Sequence, residues 1–149
     1  MSLSSNYLKK ANFAYERIVN FKVKLPKAQN KLKSYALNVP MYIKTNGLLA
    51  TVAFIRSKMN KKTEDAVAYK VLYDIINDWL IEIKLICPSE LSPKNTAKND
   101  SEHESDLTQK LVNLDSNVYR SAEREILSLF NWVRRFAEGE LKGEDDELQ

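Results

Sequence analysis

The chain has 149 residues, 44% hydrophobic and 29% charged, with three Gly, four Pro, one Cys and one His. That length suits one domain able to bury ~68–70% of its unfolded surface without staples. The single cysteine excludes an internal disulfide and points to a reducing compartment. The longest mainly apolar run, residues 48–55, is far short of the ~20 residues of a membrane span, and the N-terminus MSLSSNYLKK has no secretory apolar region. The net charge of +3 hides a division. Residues 1–62 hold 13 Lys and Arg against one acid, Glu16, hence +12; residues 63–149 hold 10 against 19 acids, hence −9. Such an asymmetry points to a polyanionic partner for the basic half, to charge-steered assembly, or to pairing of the halves within the fold.

Ser4 or Ser5 can cap a first helix running to about Asn20. Its core stripe is Leu3, Tyr7, Ala11, Ala14 and Ile18, and its polar side carries Lys9, Lys10 and Arg17. A basic arm follows, with Pro26 suited to the first turn of a second helix over about 27–38 that buries Leu32, Tyr35 and Ala36. Pro40 disfavours helical geometry at Val39, so a break or kink is expected there. Thr45-Asn46-Gly47 form a tight corner between helices. Either Gly47 closes the preceding turn, or Thr45 or Asn46 caps the helix that follows. Free N–H groups at such a corner can hold an anion, but a purely structural corner is the simpler reading.

The helix after the corner, about 47–59, is apolar on nearly every side at its centre, LLATVAFI. Leu48, Val52, Ile55 and Met59 share one face, and Phe54 points well away from it. A helix apolar all round is normally enclosed, so this one is expected at the centre of an all-α, compact bundle of about five to seven helices. Phe54→Ala would then cost ~3–5 kcal/mol. Lys44 precedes this helix, and Arg56, Lys58, Lys61 and Lys62 follow its apolar centre.

Thr63 caps a fourth helix expected to reach Cys87 before Pro88, with Ala68, Leu72, Ile75, Ile76, Trp79, Leu80 and Ile83 facing inward. Cys87, in the apolar run IKLICP, reads as a small core residue. Residues 88–106 lack an apolar stripe and read as a flexible loop, with His103 a solvated member of it. Leu107, Leu111 and Leu114 re-enter the core. A last helix begins at Asp115 or Ser116 and faces Val118, Ala122, Ile126, Leu129, Val133 and Phe136 inward. Arg120, Arg124, Arg134 and Arg135 gather on its opposite side, and Gly139 is expected to end it. The domain is therefore 1–138, with an acidic, disordered tail at 139–149.

The sequence offers no Gly-rich phosphate loop, no Cys/His pair and no metal-ligand spacing. Catalytic, metal and cofactor sites are expected to be absent. Asp74, Asp78 and Glu82 share a helix face, but beside so apolar a stripe they read as a solvated polar edge.

Three segments carry a resemblance: Pro40…Thr45-Asn46-Gly47-Leu48…Ala53-Phe54, then Tyr69…Leu72…Trp79-Leu80, and finally Tyr119-Arg120…Trp132…Arg135-Phe136-Ala137-Glu138. In this order they resemble the small all-α subunit of the Cmr-type (type III-B) CRISPR RNA-guided effector complex, over most of residues 4–138. The resemblance implies a non-catalytic subunit of an antiviral ribonucleoprotein in the prokaryotic cytoplasm. Its partners would be the backbone and large subunits, copies of itself in a row, and single-stranded target RNA or the guide–target duplex. No membrane and no small-molecule substrate are implied. Contacts to phosphate position a strand without reading sequence. Lys44, Arg56, Lys58, Lys61 and Lys62 are the candidates for them, and Arg120, Arg124, Arg134 and Arg135 are candidates for RNA or for a subunit interface. A helical protein–protein adaptor that binds no nucleic acid is the alternative, and an enzyme with an unrecognised carboxylate site is the third.

Overall fold

A computed structural model describes residues 3–87 and 106–143. The described chain forms six α-helices: α1 (Leu3–Lys24), α2 (Gln29–Asn46), α3 (Leu48–Met59), α4 (Glu64–Glu82), α5 (Leu107–Val112) and α6 (Ser116–Glu140), with a short 3₁₀ turn, Pro26–Ala28, between α1 and α2. No strand occurs among the described residues. The fold is an all-α bundle, as expected. The expected loop over 88–106 lies outside the described residues except for Asp106, and His103 lies outside them altogether.

Helix α1 packs along α6, α3 lies on α4, and α2 sits between α6, α4 and α3. Buried side chains from all six helices join in one core, whose largest fully enclosed members are Trp79 and Phe130. Helix α4 buries Ala68, Leu72, Ile75, Ile76, Trp79 and Leu80. No helix among the described residues is long and apolar enough to cross a membrane.

The expected central helix corrects to a one-sided one. Helix α3 buries Leu48, Thr51, Val52 and Ile55, while Ala50, Ala53, Phe54 and Ser57 face outward. Phe54 keeps 39% of its surface exposed, so its truncation should fall below the ~3–5 kcal/mol of an enclosed phenylalanine.

Pro40 causes no break. It is buried inside α2, beside Val39 and Ile43. An interior proline removes one helical hydrogen bond at a cost of ~3 kcal/mol; burial of these three neighbours against the core offsets it. Helix α1 passes Asn20 and turns differently from expectation, burying Lys10, Ala14, Ile18 and Phe21 and leaving Tyr7 56% exposed.

Helix α4 stops at Glu82, short of the expected Cys87. Lys84 adopts a left-handed conformation, φ 65°. The Lys84 N–H donates to the Ile81 carbonyl at 2.9 Å and the Leu85 N–H to the Leu80 carbonyl at 2.9 Å. This paired closure is a Schellman motif. Beyond it Cys87 is exposed rather than in the core. At the other end of the chain α6 passes Gly139 to Glu140, and Leu141 is buried. Helix α6 therefore does not end at Gly139, and residues 144–149 of the expected tail lie outside the described residues.

Candidate nucleic-acid interface

Gly47 closes α2 and opens α3 with φ 92° and ψ 162°, a region essentially reserved for glycine. Its N–H donates to the Ile43 carbonyl at 2.8 Å. The first α3 amides are then satisfied from α6. Leu48 N–H donates to Glu123 Oε2 at 2.8 Å, and Leu49 N–H donates to the Tyr119 hydroxyl at 2.8 Å. A carboxylate at a helix N-terminus also meets the positive end of the helix dipole. Thr45 and Asn46 lie exposed in the last turn of α2, and neither caps α3. The anion at this corner is the protein's own Glu123. Burial, with Glu123 adding to it, raises the Tyr119 hydroxyl above its ordinary pKa.

The five cations expected around α3 separate into three groups. Lys44 is exposed at the Gly47 end. Lys58 lies at the opposite end of the 12-residue helix, ~18 Å away along its axis, with its ammonium 5.4 Å from the Phe54 ring centroid. Lys61 and Lys62 follow it, exposed, in the turn to α4. Arg56 stands apart. It is half-buried and donates to Asp106 Oδ1 at 3.0 Å. The same oxygen accepts from the Tyr73 hydroxyl at 2.6 Å, and Tyr73 accepts from the Leu107 N–H at 2.8 Å. Arg56 thus ties α5 to α3 and α4. Burial, then the bond to Asp106, pushes the Tyr73 hydroxyl up to about 12.

Part of the charge division is answered inside the fold. Ion pairs join Lys9 to Glu82 (3.0 Å), Arg17 to Asp78 (2.7 Å) and Lys31 to Asp65 (3.4 Å). Lys10 pairs with Glu125 at 3.1 Å and also donates to Ser128 at 3.0 Å. Asp74 pairs with Lys70 at 2.7 Å, so each of Asp74, Asp78 and Glu82 meets a cation. Lys22, Lys24, Lys27, Lys44, Lys58, Lys61 and Lys62 form no ion pair among the described residues.

Arg120, Arg124, Arg134 and Arg135 are all exposed along α6. Beside them runs an aromatic ladder that pattern reading missed. Trp132 and Phe136 stack at 5.5 Å, Tyr7 meets Trp132 edge-on at 5.2 Å, and Tyr15 meets Phe136 at 5.3 Å. Tyr7, Leu8 and Tyr15 stay largely exposed. The i, i+4 spacing of Trp132 and Phe136 is the available signal; Phe136 also packs, partly buried, against the core as expected.

The family model for the CRISPR-associated protein (Cas_Cmr5) matches residues 7–140. The chain belongs to this family. Cmr5 proteins are the small subunits of type III-B CRISPR systems, so the chain is a subunit of a multi-subunit CRISPR complex. The match runs from α1 to the end of α6. Within this Cmr5 chain the segments that carried the resemblance meet. Tyr119 of the third bonds the amide next to Leu48 of the first, and Tyr69 of the second packs edge-on against Phe54 at 6.0 Å.

Proposed function

We propose that this Cmr5-family chain is a non-catalytic subunit that helps hold target RNA, single-stranded or paired with the guide, by sequence-independent phosphate contacts. It would assemble in a row beside the backbone subunits of the complex. The observation that carries this reading is the set of lysines in the basic half that form no ion pair among the described residues. Lys58, Lys61 and Lys62 form its densest part, and Lys44 adds a separate point of contact. Arg56 is better assigned to holding α5, because its guanidinium is engaged by Asp106. The engagement of Asp74, Asp78 and Glu82 by cations speaks for a structural edge rather than a hydrolytic site.

The adaptor reading has its own support in the ladder of Tyr7, Trp132, Phe136 and Tyr15 beside Arg135. Exposed Tyr, Trp and Arg are the residues that dominate protein interfaces. On this reading the α6 arginines face a neighbouring subunit, and the α3–α4 lysines meet an acidic protein surface rather than RNA.

The test is single-stranded RNA binding by the isolated chain across a salt series, beside a Lys58/Lys61/Lys62→Ala variant. Binding should tolerate any sequence and weaken with salt. The log–log slope should fall by ~0.7 per lost contact, hence by up to ~2 in the triple variant. An unchanged slope would move the basic half to a protein partner.

A further inference from the structure

Four aromatic rings from three helices gather on the surface between α2, α3 and α4. Tyr35 and Tyr69 stack at 4.2 Å with planes 14° apart. Phe54 meets Tyr69 edge-on at 6.0 Å and Tyr42 at 5.8 Å. Between them opens a cleft of about 100 Å³. Its rim is accessible, with Tyr42 38% and Phe54 39% exposed. Asn38 also lines it, and the Asn38 carboxamide makes no hydrogen bond among the described residues. Lys58 stands at the rim over Phe54, followed by Lys61 and Lys62.

We infer that this cleft is a stacking site for one unpaired nucleobase, with Lys58 on its phosphate and Asn38 offered to the base edge. This inference rests on the phosphate-holding reading proposed above. Each component matches one part of a nucleotide. Exposed ring faces accept any base, because every base has a π-face. A free carboxamide supplies a donor and an acceptor together, the pattern that a base edge presents. An ammonium beside the rings supplies the counter-charge. Asp65, whose carboxylate bears on Tyr35 and Tyr69, would oppose an anion, but Lys31 holds it at 3.4 Å. Burial first, then the neighbouring Tyr35 and Tyr42, pushes the Tyr69 hydroxyl up to about 12. The stacking floor is therefore uncharged at neutral pH. An acidic peptide would answer the lysine but leave the open ring faces without a planar partner.

The experiment has two arms on the full chain. In the first, ring resonances of Tyr42, Phe54 and Tyr69 are followed by NMR while adenosine monophosphate, and separately ribose 5-phosphate, is added to millimolar concentration. The nucleotide should move them and the sugar phosphate should not. In the second, Tyr42→Leu and Phe54→Leu variants, checked for an unchanged thermal midpoint, bind a single-stranded RNA and an abasic strand of the same length. Affinity for the base-bearing strand should fall about 5- to 150-fold, the range of one lost base–aromatic stack, with the abasic strand unaffected. Ring signals that ignore the nucleotide, or equal losses on both strands, would overturn the inference. Failure of the phosphate reading looks different: binding insensitive to salt and to the three lysines, whatever the mononucleotide does to the rings.

Discussion

Tyr73 shows how much one side chain can hold. Its hydroxyl donates to Asp106 and accepts from the Leu107 amide, so it joins α4 to the start of α5 while Arg56 clamps the same carboxylate. Tyr73→Phe leaves a buried amide without an acceptor and should cost ~1–3 kcal/mol in denaturant unfolding. The pH dependence has a definite sign. Folding raises the Tyr73 pKa from 10.0 to about 12, so the folded state favours the protonated phenol. That contribution is complete below pH 10 and is lost as pH rises from there to about 12. Stability measured below and above pH 10 should drop more steeply in the native chain than in Tyr73→Phe. Lys10 makes a second case. It is only 8% exposed and reaches both Glu125 and Ser128, whereas the Lys9–Glu82 pair is open to solvent. Lys9→Ala should cost no more than ~1 kcal/mol, and Lys10→Ala ~1–3 kcal/mol, since it strips a partly buried network; thermal midpoints would rank them. The burial of Lys10 was not legible locally. Tyr7, Ala11, Ala14 and Ile18 have as good a helical spacing as Lys10, Ala14, Ile18 and Phe21. What decides between them is the packing of α1 along α6, where Lys10 meets Glu125 and, 118 positions away, Ser128.

At the scale of elements, the helices announced themselves wherever local chemistry was strong. Thr63 caps α4 as its sequence implies, its side chain accepting from the Ala66 amide. The inward stripes of α4 and α6 followed the 3.6-residue period because packing obeys it. The ends that went unseen are those made by unlikely residues. Helix α4 closes on a left-handed Lys84, where glycine is the usual signal. Lys84→Gly should therefore stabilise the fold by ~0.5–1 kcal/mol: relief of a left-handed strain of ~1–2 kcal/mol outweighs the added backbone entropy of glycine. A lower unfolding midpoint in that variant would mean that the Lys84 side chain itself holds the turn. Helix α3 misled for another reason. Hydrophobicity cannot separate a helix enclosed by protein from one that keeps Ala53 and Phe54 on an open face. The basic candidates were likewise legible as charges, but not as partners: only the fold puts Asp106 against Arg56 and leaves Lys61 and Lys62 without an ion pair among the described residues.

For the whole molecule, the division into a basic and an acidic half becomes two different quantities. The pairs Lys9–Glu82, Arg17–Asp78 and Lys31–Asp65 are substantially exposed, and such pairs contribute ~0–1 kcal/mol each. Added salt should shift the thermal midpoint only slightly. RNA affinity should fall steeply over the same range, because counterion release grows with every phosphate contact. Measuring both on one preparation separates charge that serves the fold from charge that serves a partner. A midpoint that collapsed with salt would show the paired charges to be structural after all.

The carboxylate that opens α3 lies 75 residues further along the chain. During synthesis at ~5–20 residues per second, Leu48 emerges about 4–15 s before Glu123 exists. Until then the N-terminal half of the chain carries an uncapped helix and, with α6 missing, an open side to its core. The junction at Gly47 is thus among the last pieces of the molecule to be completed. The nascent subunit reaches its final form only when its closing helix has been made.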